Sequence, residues 1–272
     1  MSYRSKFMNI LEQIIEYKKE EVRNRKSIVK IADLEKRELF SRTALPLKDF
    51  LLDKSRTGII AEFKRRSPSK GIINPDVDVV EVTKGYAKHG ASCLSVLTDE
   101  HFFGGSDEDL IKTRINEIPI LRKEFVIDEY QLIEAKSIGA DVILLIAACL
   151  TAGEVKRLAN FAKDLGLEVL LELHGEEELD HICDDTDVIG INNRNLKTFE
   201  VDIERSLRMA EKIPLPKFKV AESGISSVND ILLFKQHGFQ GFLIGENFMK
   251  ATDPTIAFAE FVKQLKAKAH ED

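Results

Sequence analysis

Charged and amide side chains that interrupt or end short apolar runs are the residues of this chain best placed to do chemistry. Glu62 and Lys64 close the run Ile60-Ala61-Glu62-Phe63-Lys64. Two apart in an extended segment, they point to the same side. Lys123 and Phe125 share a face in Leu121-Arg122-Lys123-Glu124-Phe125, and an ammonium beside a ring suits a substrate with an aromatic or charged group. Glu172 is a single carboxylate in Val169-Leu170-Leu171-Glu172-Leu173-His174. Buried there, it must be paired or shifted in pKa, and either condition suits an acid or a base. Asn192 and Arg194, in Asn192-Asn193-Arg194-Asn195, can bind carboxylate or hydroxyl groups. Gly224 in Glu222-Ser223-Gly224 and Gly245 in Ile244-Gly245-Glu246 let backbone N–H groups come close to a phosphate. Glu246 would repel that phosphate, so its side chain is expected to turn away while its N–H faces in. At this level plain readings stay open: a structural Glu62–Lys64 ion pair, a solvated Lys123, a Glu172 neutralised by a lysine, and an Asn-rich turn.

The elements that carry these residues repeat a simple unit. Apolar runs recur at Ile59–Phe63, Ala91–Leu97, Ile118–Phe125, Asp141–Ala147, Glu168–Leu173, Val188–Asn192, Phe218–Ala221 and Gly241–Ile244. They are short, rich in Val and Ile, and apolar at successive positions, as strands buried on both faces are. The stretches between them open on helix caps: Asn74-Pro75-Asp76, Ser106 with Asp109, Asp128 with Gln131, Thr151 with Glu154, Ser227 with Asp230. Gly90, Gly139, Gly166 and Gly238 stand where those helices should stop. Eight strand-then-helix units predict an α/β chain folded as a (β/α)8 TIM barrel, with chemistry at the C-terminal ends of the strands. The competing doubly wound sheet usually carries a Gly-rich turn after its first strand, and Lys64-Arg65-Arg66-Ser67-Pro68-Ser69-Lys70-Gly71 is not one. Ahead of the barrel (58–272), residues 1–57 read as a helical extension within one domain spanning 1–272. It has a helix from Asn9 to Lys26, a second around Asp33 to Phe40, and a third opened by Pro46.

The chain has 272 residues with a formal net charge of −6, so a broad basic face for nucleic acid is not expected. Cys93, Cys149 and Cys183 are odd in number and widely spaced, which points to free thiols in a reducing compartment. No apolar run approaches the ~20 residues of a membrane span, and Met1 to Tyr17 lacks a signal-peptide core. A cytoplasmic protein without membrane or nucleic-acid partners is expected. The basic residues Lys18, Lys19, Arg23, Arg25 and Lys26, and those from Lys263 to Lys268, read as solvated helix faces. His174 reads as a loop or cap residue, and Cys149 as a core thiol.

The segments quoted above, in their order, resemble the indole-3-glycerol-phosphate synthase family over nearly the whole chain. The resemblance extends to Leu97-Thr98-Asp99-Glu100 through Phe103-Gly104-Gly105-Ser106, and to Ile189-Gly190-Ile191-Asn192-Asn193-Arg194-Asn195-Leu196. It implies a lyase of tryptophan biosynthesis, without metal or organic cofactor, that decarboxylates, closes and dehydrates 1-(2-carboxyphenylamino)-1-deoxyribulose 5-phosphate. On that resemblance Lys123, Lys64, Glu172 and Glu62 are the catalytic set, with Lys123 as general acid. Phe125, Asn192, Arg194, Glu222 and Ser223 bind the substrate. Ser67, Gly224, Gly245 and Glu246 (through its N–H) hold the phosphate. The two lysines are expected to lower each other's pKa. A monomer is expected, with a weak dimer as the alternative. Competing functions are another phosphate-binding barrel, such as phosphoribosylanthranilate isomerase, and a barrel that binds without turnover.

Overall fold

The computed structural model describes residues 9–195, 198 and 200–268. Leu196 of the sixth-strand segment and the first eight residues of the N-terminal stretch lie outside the described residues. Eight parallel strands close on themselves: β1 Ile59–Phe63, β2 Cys93–Leu97, β3 Ile120–Lys123, β4 Val142–Ile146, β5 Glu168–Leu173, β6 Val188–Asn192, β7 Phe218–Glu222 and β8 Gly241–Ile244. Each pairs with its neighbours in sequence, and β1 pairs with β8 to complete the ring. The (β/α)8 barrel expected from the apolar runs is therefore the observed fold.

Strand alternation sorts the side chains into two layers. Ile60, Cys93, Leu121, Leu144, Leu170 and Leu243 pack together inside the barrel, whereas Ile59, Ala61, Leu94, Val96, Ile143 and Ile189 pack outward under the helices. Glu62, Lys123, Glu172, Asn192 and Glu222 share the parity of the inner set, so the pleat alone turns them inward. Registers Leu97 to Lys123, Ile146 to Glu172 and Asn192 to Glu222 bring them to one end of the ring.

Ahead of the barrel lie α1 Ile10–Ile28, α2 Ile31–Leu34 and α3 Leu47–Leu52. The Asn9–Glu12 capping box opens α1. The helix expected over Asp33 to Phe40 is split, because Arg37 is extended between α2 and a 3-10 turn at Glu38–Ser41. Leu47 and Leu51 of α3 plug the lower end of the barrel, where the Leu47 N–H donates to Glu168 Oε2 at 2.8 Å. Buried Asp141 joins arm and barrel: it accepts from the N–H of Leu45 (2.7 Å) and of Ile120 (2.8 Å), and pairs with Arg42 and Arg114.

The outer layer comprises α4 Val79–Lys88, α5 Asp107–Thr113, α6 Glu129–Ser137, α7 Ala152–Asp164, α8 Ile203–Ala210, α9 Val228–Gln236, α10 Glu246–Met249 and α11 Pro254–Lys268. No α-helix follows β5; a 3-10 turn, Glu176–His181, takes its place. The caps at Ser106, Thr151 and Ser227 form as expected. The α4 cap is Asp78, not the Asn74-Pro75-Asp76 segment, and Asn74 instead donates to the carbonyls of Met249 and Ala251. Asp128 caps the Tyr130 N–H, while Gln131 binds the Ile127 N–H and the Phe125 carbonyl at the end of β3. The four helix-stopping glycines all have positive φ. No helix among the described residues is long and apolar enough to cross a membrane.

The expectation of a solvated face for the basic run of α1 holds for Lys19, Arg23 and Lys26, which are exposed, and fails for Lys18 and Arg25. Lys18 is 1 % exposed. Arg25 reaches Asp107 at 2.8 Å and Glu134 at 3.2 Å, and Lys26 reaches Asp128 at 2.7 Å. The helix lies against the barrel, so Lys18 and Arg25 turn toward carboxylates of the barrel while the rest of the run stays at the surface. Burial raises the Asp107 carboxyl's pKa, but Arg122 and Arg25 outweigh it and hold it below the ordinary value of 3.8. A carboxylate depressed on folding adds stability that is present above its unfolded pKa and is lost as pH falls through its folded one. Asp107→Asn should therefore lower the thermal midpoint by a few degrees at pH 7, with the gap to the parent narrowing below about pH 4. A gap that stayed constant down to pH 3 in thermal melts would remove this role. The basic residues of the last helix, Lys263, Lys266 and Lys268, are exposed as expected.

Candidate active site

A cavity of about 280 Å³ opens at the C-terminal ends of the strands. Each site residue selected from the sequence lines it: Glu62, Lys64 and Ser67 from β1 and its loop, Lys123 and Phe125 from β3, Glu172 from β5, and Asn192 and Arg194 from β6 and its loop. Glu222, Ser223 and Gly224 come from β7, and Gly245 and Glu246 from β8.

The charges form two neighbouring groups, one around Lys123 and one around Lys64. Lys123 Nζ lies 3.3 Å from Glu172 Oε2 and 3.7 Å from Glu222 Oε2. Lys64 Nζ lies 2.6 Å from Glu62 Oε1. Asn192 Nδ2 donates to Glu172 Oε1 at 2.9 Å. Burial alone would lower the Lys123 pKa, but Glu172, Glu222 and Glu62 raise it well above its ordinary value. The expected mutual lowering of the two lysines is thus overturned for Lys123: three carboxylates surround it, and their attraction exceeds both repulsion and desolvation. Burial also raises Glu172 and Glu62, yet Lys123, His174 and Asn192 hold Glu172, and Lys64 and Lys123 hold Glu62, below the usual carboxylate range. Glu222 goes the other way. Burial and then the negative charge of Glu172 push it well above that range, with Lys123 only partly compensating. The two neighbouring carboxyl groups are thus shifted in opposite directions, which is how acid and base roles separate at a single pH.

The β7 loop is shaped differently from the rest. Ser223 has φ 65° and Gly224 φ 71°; Ser223 is the one non-glycine residue with positive φ among the described residues. Strained backbone of this kind gathers at ligand sites. Gly245 serves packing as well, since a Cβ there would lie 2.6 Å from Glu62 Oε1. Asn193 Nδ2 donates to the Ser223 carbonyl at 2.7 Å and fixes the loop. The Glu246 carboxylate sits at the rim, 3.2 Å from Lys70 Nζ and 3.4 Å from Arg194 Nη2. Its charge is taken up by those two cations, and Arg194 is already partnered.

Several contributors were not selected beforehand. Ile10, Leu11 and Ile14 of α1 and Leu144 and Ile146 of β4 form the apolar wall, and Phe103 lies 5.8 Å from the Phe125 ring. The helical spacing of the α1 residues was visible, but not what their stripe would face. His174, expected in a loop or cap role, has Nε2 3.0 Å from Glu172 Oε1, although neither ring nitrogen makes a hydrogen bond. Cys149 is half-buried beside the core, and all three cysteines are free.

The family model described as indole-3-glycerol phosphate synthase matches residues 11–261. This chain belongs to the indole-3-glycerol phosphate synthase family. It is 47 % identical over 259 residues to the synthase of Bacteroides thetaiotaomicron, covering 95 % of this chain and 99 % of that one. It is 42 % identical to the synthase of Bordetella pertussis, covering 93 % and 99 %, and 44 % identical to that of Caldanaerobacter subterraneus, covering 94 % and 99 %. The family comprises carboxy-lyases of tryptophan biosynthesis. A solved tryptophan synthase α-subunit from Pyrococcus furiosus aligns with a TM-score of 0.59 at 16 % identity, covering 78 % of this chain and 99 % of that one, and shares the barrel alone.

Proposed function

We propose that this family member turns over 1-(2-carboxyphenylamino)-1-deoxyribulose 5-phosphate to indole-3-glycerol phosphate, CO₂ and water, with the strand-end lysines and glutamates as its acids and bases. The observation that carries the reading is the convergence of Lys64, Lys123, Glu62, Glu172 and Glu222 in one cavity beside the Ser223–Gly224 and Gly245 loops.

Ring closure begins when the ring carbon bearing the carboxylate attacks the ribulose carbonyl. That carbon is a weak nucleophile, so the carbonyl oxygen needs positive charge and a proton as the bond forms. Lys123 supplies both. Its carboxylate neighbours keep it an ammonium in the resting site, and the developing alkoxide is basic enough to take its proton. Loss of CO₂ returns the electron pair to the ring. Dehydration then needs an acid for the departing hydroxyl and a base for the proton left behind. Lys64 with Glu172 or Glu62 fills these roles. Phe125 packs on the aromatic ring, and Asn192 and Arg194 orient carboxylate and hydroxyl groups. Glu222, whose carboxyl is shifted up by burial and by Glu172, hydrogen-bonds to substrate, and Ser223 contacts the phosphate or the adjacent hydroxyls. The phosphate lies against Ser67, Gly224, Gly245 and the Glu246 N–H.

Purified protein mixed with this substrate should develop indole fluorescence, and EDTA should leave the rate unchanged. Tight substrate binding without fluorescence would favour a non-catalytic barrel, and a large loss on chelation would require a metal. Among the described residues no group of three or more His, Cys, Asp or Glu is arranged to hold one.

A further inference from the structure

Lys18 continues the α1 stripe, four residues beyond Ile14 and four before Val22, and like them it is buried. Its ammonium lies 3.0 Å from Asp99 Oδ2, 3.0 Å from Glu124 Oε1 and 2.7 Å from Glu21 Oε2. Each of the first two carboxylates also holds backbone. Asp99 Oδ1 accepts the N–H groups of Phe102 (2.7 Å) and Phe103 (3.1 Å). Glu124 Oε1 accepts the N–H of Phe125 (2.8 Å). Glu124 Oε2 accepts from Thr98 Oγ1 (2.8 Å), which in turn accepts from Arg122 Nε (3.1 Å). One cation from the arm is thus joined to both carboxylates that fix the two rings facing each other in the cavity.

We propose that Lys18 is a positioning residue for the aromatic half of the substrate, setting the spacing of Phe103 and Phe125 through Asp99 and Glu124. The proposal rests on the cavity being the substrate site. Without the ammonium, two buried carboxylates face each other with reduced compensation, and such charges separate or draw in water or protons. Either response moves the backbone of the β2 or β3 loop and with it a ring. The Lys123 ammonium and the β7 and β8 loops lie outside this network, which touches Lys123 only through its backbone carbonyl, an acceptor for the Thr98 N–H at 3.2 Å, so the larger effect falls on binding of the aromatic group.

The test is steady-state kinetics of Lys18→Gln and Asp99→Asn, with thermal melts to establish folding. Asp99→Asn retains an oxygen for the Phe102 and Phe103 N–H groups but turns an amide NH2 toward the Lys18 ammonium, which breaks the link between arm and loop, so it carries the test if Lys18→Gln does not fold. KM should rise about tenfold with kcat within about twofold of the parent, the pattern of lost uniform binding. Inhibition by inorganic phosphate should be unchanged. Parental KM in a folded variant, or equal weakening of substrate and phosphate, would overturn the proposal. Failure of the underlying site assignment looks different, because Lys123→Ala would then keep normal turnover.

Discussion

Lys123→Ala is expected to lower kcat by about 10²-fold or more, with a much smaller change in KM. The ammonium is held by Glu172 at 3.3 Å and Glu222 at 3.7 Å, so its position is fixed before substrate arrives. A preorganised cation costs no reorganisation when charge develops on the carbonyl oxygen, and its benefit is therefore felt mainly in the transition state. Removing it should also leave two buried carboxylates without their shared partner. Proton uptake by the Glu172–Glu222 pair relieves that, so the protein should fold while the pair titrates at higher pH than in the parent. Fluorescence-detected turnover with a melt at pH 7 checks both points. Parental turnover in a folded Lys123→Ala protein would remove the general-acid assignment.

How much of this was legible in the sequence depends on whether a residue acts through its own strand or through a distant one. Glu62, Lys64, Lys123 and Glu172 stood out because a charge in an apolar run has to face something polar, and strand alternation names the side. The same alternation, continued around the ring, brings Asn192 and Glu222 inward. Lys18 shows the converse. Its place between Ile14 and Val22 was visible, but a lysine in an apolar stripe is informative only when its carboxylate partners are known, and Asp99 and Glu124 lie far along the chain. His174 was read from its neighbours in sequence, whereas its side chain lies against Glu172. The lysine pKa expectation failed for a related reason: it counted the cations in the site and not the three carboxylates around one of them. The 3-10 turn after β5 had no local signal separating it from a helix, since Glu176 to His181 carries neither a proline nor a glycine.

Glu172→Gln separates charge from shape at the centre of the site. The amide oxygen can still accept from Asn192 Nδ2, so the 2.9 Å contact that orients the side chain survives. What disappears is the negative charge, together with the oxygen that accepts from Lys123, with three consequences of known sign. The site loses a base, and kcat should fall about 10²-fold. Glu222 loses the neighbour that, after burial, does most to raise it, so its pKa should move down toward the ordinary carboxylate range. Lys123 loses the carboxylate that does most to raise its pKa, so its ammonium should deprotonate at lower pH. The kcat–pH profile of the remaining activity should therefore have its alkaline limb displaced toward neutral pH. A purely structural Glu172 would lower stability without moving that limb. If the profile of the folded variant overlays the parent's after scaling, Glu172 and Lys123 do not titrate as one unit, and proton transfer in the site has to be assigned to Glu62 and Lys64 instead.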